Sequence, residues 1–260
     1  MEEITIRRLN FLLECDVDLF KRFYSEVFEV EFPNNDERES LEGFLEEAGK
    51  SLNYKNDFNF TVFVAVDKDF NPIGGLVADY YRRSLSCLIE FEVIRRDYQS
   101  KGIGRLLFSA FVNDAENHFF REWNCSPSLI FWETEDEEYC KANNLTHVRD
   151  ARWRYFSRLD AFKVDVDYVQ PALDDTKNPV VDLDLCACLA WRYIGDRHIS
   201  KMDLELFLKD YHNFSIASSE EHKSLIRNKI LKECEDEIKL ISVINTDGFL
   251  SGAGFMSGEN

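Results

Sequence analysis

The feature that most constrains this chain is a glycine turn, Gln99-Ser100-Lys101-Gly102-Ile103-Gly104. Residues 86–94 before it are rich in β-formers, and apolar residues after it recur at helical spacing. Glycines let a backbone approach a ligand closely, and the first amides of a new helix attract an anion. The order strand, turn and helix predicts a pyrophosphate cradle, although an ordinary tight connection has the same local pattern.

Two common nucleotide-binding fingerprints do not fit this turn. A dinucleotide-binding turn needs a third glycine near Phe108, and a P-loop needs Gly-Lys followed by Ser or Thr. The pattern Q/R-x-x-G-x-G/A instead resembles the coenzyme A signature of the GNAT acyltransferase superfamily. There the backbone amides of the turn hold the coenzyme's diphosphate. The resemblance assigns that role here to Gln99, Ser100, Lys101, Gly102, Ile103 and Gly104, with Arg105 as an extra phosphate contact.

The order of predicted elements agrees with this resemblance over about residues 1–192. Periodicity predicts strands over residues 3–9, 58–66, 73–81, 86–95 and 128–132, and helices over 16–29 and 36–52. Strands over 163–169 and 180–190 would close the fold. The expected fold class is α/β, in detail α+β: a GNAT fold whose mixed, mostly antiparallel sheet has six to seven strands, with helices on both faces. The strand ending near Ile94 should splay from the one ending near Trp132, leaving a gap for the thioester.

Residues 155–162 resemble the superfamily's helix end, which usually reads Phe-Tyr-Glu-Lys-Leu-Gly-Phe, with two departures. Asp160 replaces the glycine, and aspartate tolerates a left-handed backbone. Phe156 stands where many members carry the tyrosine that protonates the leaving thiolate, so another residue must supply that proton.

Two tyrosines are candidates for the missing acid. Tyr168 lies in a Y-x-Q-P segment that resembles a less studied bacterial branch of GNAT-like proteins. Tyr155 is next to the usual acid position, but one residue turns a helical side chain by about 100°. Either tyrosine is also explained as a packed aromatic with a hydrogen-bonded hydroxyl.

Acyl transfer from a thioester needs a neutral amine and a polarised carbonyl oxygen. The resemblance places a polarising backbone amide at Val93 or Ile94, and Glu133 follows a strand where several members place a base. Glu90 and Glu92 are rival bases, because residues i and i+2 of a strand share a face. Water-mediated deprotonation is the third alternative. Crowding among residues 133–138 would raise the pKa of Glu133, unless the run is only a solvated acidic loop.

Composition narrows the partners. The 260 residues carry a net charge of −18, which repels nucleic acids and anionic membrane surfaces, so we expect cationic or neutral acceptors. Solubility alone also accounts for such a charge. The N-terminus lacks a basic segment followed by an apolar one, and no apolar stretch approaches about 18 residues, which predicts a cytoplasmic protein.

The seven cysteines include no C-x-x-C pair, and Cys87, Cys186 and Cys188 lie in strand-like runs. We therefore expect buried, reduced thiols. The five histidines are scattered, so no metal is expected.

Periodicity becomes helical beyond about residue 195. We therefore predict a GNAT-like domain over residues 1–195 and a C-terminal helical extension over 196–260. Three roles are open for the extension: a lid over the acceptor site, a contact in a homodimer, or a helical pair packed on the sheet.

The expected activity is N-acetyltransfer from acetyl-CoA, or another acyl-CoA, to a primary amine of a small molecule. Two alternatives are a non-catalytic acyl-CoA-binding or sensing module and a protein or peptide N-acetyltransferase.

Overall fold

The computed structural model describes residues 3–33, 38–172, 177–189, 197–216 and 218–243. In this part of the chain nine strands form a single sheet. They are β1 (Thr5–Arg8), β2 (Phe58–Val66), β3 (Pro72–Tyr81), β4 (Ser86–Ile94), β5 (Leu129–Glu135), β6 (Ala161–Val164), β7 (Leu183–Cys188), β8 (His198–Ser200) and β9 (Glu237–Ile241). Their spatial order is β1-β2-β3-β4-β5-β7-β6-β9-β8.

The helices cover both faces of this sheet. They are α1 (Glu14–Phe23), continuing through a π-helical turn (Tyr24–Phe28) into α2 (Glu29–Glu31), then α3 (Leu41–Asn53), α4 (Ile103–Trp123), α5 (Glu137–Ala142), α6 (Thr146–Ser157), α7 (Lys201–Phe214) and α8 (Glu220–Leu231). Both helices predicted before β2 are present. The second begins later than predicted, at Leu41, where the Ser40 hydroxyl accepts a hydrogen bond from the Gly43 amide at 2.9 Å.

The predicted splay is confirmed at the one parallel strand pair of the described sheet. β4 pairs with β5 from Ser86 opposite Leu129 to Ile89 opposite Trp132. Beyond Trp132, β5 continues only against β7, so residues 90–94 of β4 have no described strand partner on that side. All other strand pairs are antiparallel.

The sheet has more strands than the six to seven predicted, because the C-terminal segment contributes β8 and β9. The helices predicted there are present as α7 and α8, but β9 pairs with β6 and extends the sheet. The signal for β9 is the alternation in Glu237–Ile241, where Ile238 and Leu240 are buried and Glu237 and Lys239 are exposed. The predicted strand 163–169 is shorter than expected and ends at Val164.

Two apolar layers enclose the sheet. One layer joins α1, α3 and α7 to one face through Phe20, Phe44 and Phe207, and the other joins α4 and α6 through Phe111 and Trp153. Cys87, Cys186 and Cys188 are buried and unpaired by disulfides, as predicted. Among the described residues, no helix is both long and apolar enough to cross a bilayer. The glycine-rich segment at residues 248–260, part of the predicted C-terminal extension, lies outside the described ranges.

Gly75 of β3 lies where this packing can be tested. A Cβ at Gly75 would lie 2.6 Å from the Phe23 ring and 3.0 Å from the Phe63 carbonyl oxygen, whereas one at Gly49 of α3 would meet nothing within 4 Å. We expect Gly75→Ala to lower the free energy of unfolding by about 1–3 kcal/mol through overpacking. The control Gly49→Ala should raise it by up to about 1 kcal/mol. Urea denaturation measures both, and equal effects would contradict the packing described here.

Candidate active site

The gap between β4 and β5 is where the interior of the sheet opens. Residues 86–89 of β4 are buried, whereas residues 90–92 are only partly buried once β5 diverges. The Arg95 amide donates to the Ile73 carbonyl at 3.0 Å, and successive peptide groups of a strand point to opposite sides. The Ile94 amide therefore points into the gap. Of the two predicted polarising amides, the structure favours Ile94 over Val93.

The predicted cradle closes one end of this gap. Ser100 and Gly102 have left-handed φ angles of 61° and 83°, and α4 begins immediately afterwards at Ile103. Leu106 donates to the Gly102 carbonyl at 3.2 Å, so the amides of residues 103–105 precede the helical hydrogen-bond ladder. The first turn of α4 contains no acidic residue. This helix start is electrostatically suited to an anion.

The side chains of the cradle region have different positions. The Gln99 side chain donates to the Ile94 carbonyl at 3.0 Å, so it braces the end of β4. Lys101 and Arg105 are exposed beside the cradle, and the Lys101 ammonium lies 4.3 Å from the Tyr98 ring centroid. Sequence reasoning did not anticipate the contact between Gln99 and the end of β4.

The expectation that Glu90 and Glu92 share a face is wrong. Val77 pairs with Phe91 and Ala78 with Ile89, so Glu90 is the extra residue of a β-bulge. A bulge reverses the alternation of side chains, which turns Glu90 toward Asp79 and Glu92 toward α4 and α6.

Glu92 forms a partly buried pair with Tyr155 of α6. The tyrosine hydroxyl donates to the Glu92 carboxylate at 2.9 and 3.2 Å. Burial raises the pKa of Glu92 to about 7, and the hydrogen bond from Tyr155 lowers it in part. A Cβ at Gly104 would lie 2.6 Å from Glu92 Oε1 and 3.1 Å from the Tyr155 hydroxyl. A side chain at position 104 would therefore displace this pair, which lies on the α4 face of the sheet.

Glu133 lies on the opposite face and has three hydrogen-bond donors. Tyr168 donates to Oε1, Gln170 donates to Oε2 at 2.5 Å, and the Tyr211 hydroxyl is 3.5 Å from Oε1. Burial raises the pKa of Glu133 to about 7, while the three donors lower it in part. The Y-x-Q spacing thus places both side chains on one carboxylate. Sequence reasoning missed Tyr211, whose helical spacing on α7 resembles that of core residues.

Crowding of the acidic run is not the cause of this pKa shift. Glu135 pairs with Arg152, Asp136 accepts a hydrogen bond from the Tyr139 amide at 2.7 Å, and Glu137 pairs with Lys141 at 2.5 Å. The strand ends at Glu135 and α5 begins at Glu137, so the three side chains point in different directions and each has its own partner. Removal from solvent is what raises the pKa of Glu133.

The two candidate acids also lie on different faces. Tyr168 is buried beside Glu133. Burial, together with the negative charge of Glu133, raises the pKa of the Tyr168 hydroxyl well above its ordinary value. Tyr155 pairs with Glu92 on the cradle side. Phe156 packs against Trp132 and Trp153 with ring centroids 5.1 and 5.6 Å apart. Phe156 is thus a packing residue.

A second group of carboxylates surrounds Glu90. Glu47 of α3 and Asp79 of β3 approach it, with one oxygen of each of the three within 4.8 Å of the others. Burial is the main cause that raises the pKa of all three, and that of Asp79 reaches about 6. The Asp79 Oδ2 atom accepts hydrogen bonds from Tyr81 at 2.8 Å and Ser215 at 2.6 Å. We call these three residues the acidic cluster.

Comparisons with known proteins find similarity at the level of structure. No family model and no curated protein sequence matches the chain. Similar solved structures include the ribosomal-protein-S18-alanine N-acetyltransferase of Escherichia coli, with 12% identity, coverage of 75% of this chain and 99% of that one, and a TM-score of 0.43. An acetyltransferase of the GNAT family from Staphylococcus aureus is 13% identical, covers 72% of this chain and 99% of its own, and has a TM-score of 0.42. The PaiA N-acetyltransferase of Thermoplasma acidophilum, in complex with coenzyme A, is 14% identical, covers 72% of this chain and 99% of its own, and has a TM-score of 0.43.

The pKa shift of Asp79 predicts a pH-dependent stability. The pKa of Asp79 is about 6 in the folded chain and 3.8 in its ordinary, unfolded state. As pH rises, this carboxyl group therefore ionises first in the unfolded chain, and the free energy of unfolding falls between these two pH values. We expect Asp79→Asn, which keeps an acceptor for Tyr81 and Ser215, to remove that fall. Relative to wild type, the variant should gain on the order of 1–3 kcal/mol between pH 4 and pH 7.

Urea titrations at several pH values measure this gain. Glu46→Gln, which removes an exposed carboxylate of the same helix as Glu47, is the control and should follow wild type. A gain of the same size in the control, or none in Asp79→Asn, would contradict the assigned cause.

Proposed function

We propose that this chain is a GNAT-fold N-acyltransferase that moves an acetyl group from acetyl-CoA to a primary amine of a small molecule. The observation that carries the proposal is the gap between β4 and β5. An anion-suited helix start lies at one end of the gap, and a half-buried carboxylate with a pKa of about 7, Glu133, lies on β5 just beyond the last paired residue. These are the elements that amine attack on a thioester requires.

In this proposal the amides of residues 100–105 bind the diphosphate of the coenzyme, with Lys101 and Arg105 adding positive charge. The acyl-pantetheine arm enters the gap beside the unpaired edge of β4. The Ile94 amide then donates to the thioester oxygen and stabilises the negative charge that develops on it during attack. The amide of Val93, the other candidate, points toward β3, because it lies on the same side of β4 as the Arg95 amide.

The proposed reaction transfers one proton from the amine and returns one to sulfur. Glu133, in its ionised form, takes a proton from the attacking amine as the C–N bond forms and the C–S bond breaks. Tyr168, Gln170 and Tyr211 hold this carboxylate in place. The Glu92–Tyr155 pair, on the cradle face, is our candidate for the proton that neutralises the departing thiolate, in preference to Tyr168. Glu90 belongs to the acidic cluster and is not needed as a base.

One observation favours a second candidate, a binding or sensing module without catalysis. Phe156 replaces the tyrosine that the superfamily resemblance implies, and its ring packs against two tryptophans. Tight acetyl-CoA binding without release of thiol across a broad panel of amines, peptides and polyamines would support that alternative.

We expect Gly104→Val to weaken acetyl-CoA binding by about ten-fold or more, because the added atoms would displace Glu92 and Tyr155 beside the cradle. Isothermal titration calorimetry measures this, with circular dichroism checking that the variant is folded. Arg105→Gln disturbs no buried contact and should weaken binding several-fold through the loss of one charge. Undiminished affinity in both folded variants would contradict the placement of the diphosphate.

We expect the kcat/KM for an amine acceptor to fall about ten-fold per pH unit below about pH 7, where Glu133 is protonated. Glu133→Gln should lower turnover by about 10²-fold or more and abolish this acidic limb, with little change in coenzyme affinity. Tyr168→Phe removes a donor that lowers the pKa of Glu133, so its limb should move to higher pH. Thiol release against pH gives these profiles.

Glu138→Gln, which removes an exposed carboxylate a few residues away, is the control and should retain the wild-type profile. Wild-type turnover and pH dependence in Glu133→Gln would exclude Glu133 as the base.

A further inference from the structure

Helix α7 lies over the face of β5 that carries Glu133. Side chains alternate along a strand, so Glu133 shares its face of β5 with Phe131, two residues earlier. The ring of Phe207 stacks on the ring of Phe131, with centroids 4.0 Å apart and planes inclined by 16°. Both rings are fully buried. The C-terminal segment therefore covers the strand from which the candidate base projects.

The stacking continues from Phe207 to the Glu133 carboxylate. Tyr211 follows Phe207 by one helical turn, and its ring is inclined by 8° to that of Phe207, with centroids 5.8 Å apart. The Tyr211 hydroxyl lies 3.5 Å from Glu133 Oε1. The three rings of Phe131, Phe207 and Tyr211, which we call the ring stack, thus leave β5 at Phe131 and return to the same strand at Glu133. A donor at 3.5 Å is at the long limit of a hydrogen bond, so its effect depends on how firmly the ring is held.

Contacts along α7 hold the ring stack against the sheet. Before the helix, β8 pairs with β9 at the edge of the sheet. Asp210, next to Tyr211, accepts a hydrogen bond at 2.9 Å from the amide of Ser84 in the turn between β3 and β4. After the helix, the Ser215 hydroxyl donates to Asp79 Oδ2 of β3 at 2.6 Å. Tyr211 is therefore fixed on both sides, which favours a helix packed on the sheet among the three roles left open for the extension.

The donors that face Glu133 keep their protons across the pH range in which it titrates. Burial raises the pKa of Glu133, and three hydrogen bonds lower it, from the side chains of Tyr168, Gln170 and Tyr211. Burial and the negative charge of Glu133 raise the pKa of the Tyr211 hydroxyl well above its ordinary value. Glu90 and Asp79 also face this hydroxyl, and their charges act in the same direction. Tyr211 is therefore a neutral donor, and its hydrogen bond favours the ionised form of Glu133.

We propose that the C-terminal segment completes the reaction site, with the ring stack holding Tyr211 as a positioning residue whose hydroxyl orients and stabilises ionised Glu133. This inference rests on the proposed role of Glu133 as the base. It adds to that site a residue from outside the GNAT-like domain predicted over residues 1–195. Tyr211 acts through Glu133 and takes no part in the proton transfer itself. Removal of its hydroxyl, or of the ring beneath it, should therefore change the ionisation of the same carboxylate.

The pH midpoint of Glu133 ionisation, followed by NMR of its carboxyl carbon in the full chain, tests the inference without requiring turnover. The signal is assigned by its absence in Glu133→Gln. Tyr211→Phe keeps the ring and removes the hydroxyl, so we expect the midpoint to rise by about half a pH unit or more. Phe207→Leu keeps the hydroxyl but removes the central ring of the stack, and it should also raise the midpoint. The acidic limb of kcat/KM in Tyr211→Phe should move to higher pH by the same amount as the midpoint.

Tyr24→Phe is the matched control. Tyr24 is buried in the same apolar layer, and its hydroxyl donates to the Glu39 carbonyl at 3.0 Å. This variant loses a tyrosine hydrogen bond away from Glu133 and should keep the wild-type midpoint, which excludes a general loosening of the layer. An unchanged midpoint in Tyr211→Phe or Phe207→Leu, or an equal rise in Tyr24→Phe, would overturn the inference. A raised midpoint in Tyr211→Phe with an unchanged activity profile would instead support the ring stack and contradict the proposed role of Glu133 as the base.

Discussion

The parting of β4 from β5 is the constraint on which the rest of the site depends. A parallel pair that stops after four registered residues leaves the following backbone groups of β4 without a strand partner on the β5 side, within the described part of the sheet. Unpaired backbone amides in a partly buried position are costly unless a ligand or water satisfies them. The same parting places the cradle, Ile94 and Glu133 around one opening, so one interruption of the hydrogen-bond ladder creates both the proposed binding edge and the proposed reaction site.

Desolvation of carboxylates is the second recurring feature. Glu92 and Glu133 each have a pKa raised to about 7 by burial and lowered in part by tyrosine hydroxyls. The two pairs lie on opposite faces of the sheet because the bulge at Glu90 inverts the alternation along β4. A single inserted residue thus separates a group suited to accept a proton from a group suited to donate one, and it turns a third carboxylate toward Asp79.

The sequence predicted the local chemistry better than the long-range contacts. The strand, glycine turn and helix around Gly102 were predictable because each is encoded by neighbouring residues, and the splay followed from the superfamily resemblance. The bulge at Glu90 was not predictable, because it depends on the register with β3. Neither was Tyr211, which reaches Glu133 from a helix 78 residues further along the chain. The strand β9 was missed because the helical periodicity before it suggested a wholly helical extension.

A crystal structure of the full chain with bound coenzyme A tests the central claim most directly. The account predicts the diphosphate at the amides of residues 100–105 and the pantetheine arm in the gap between β4 and β5, with its thiol between Ile94 and Glu133. Coenzyme bound elsewhere on the chain, or a gap closed by continued pairing of β4 with β5, would contradict it.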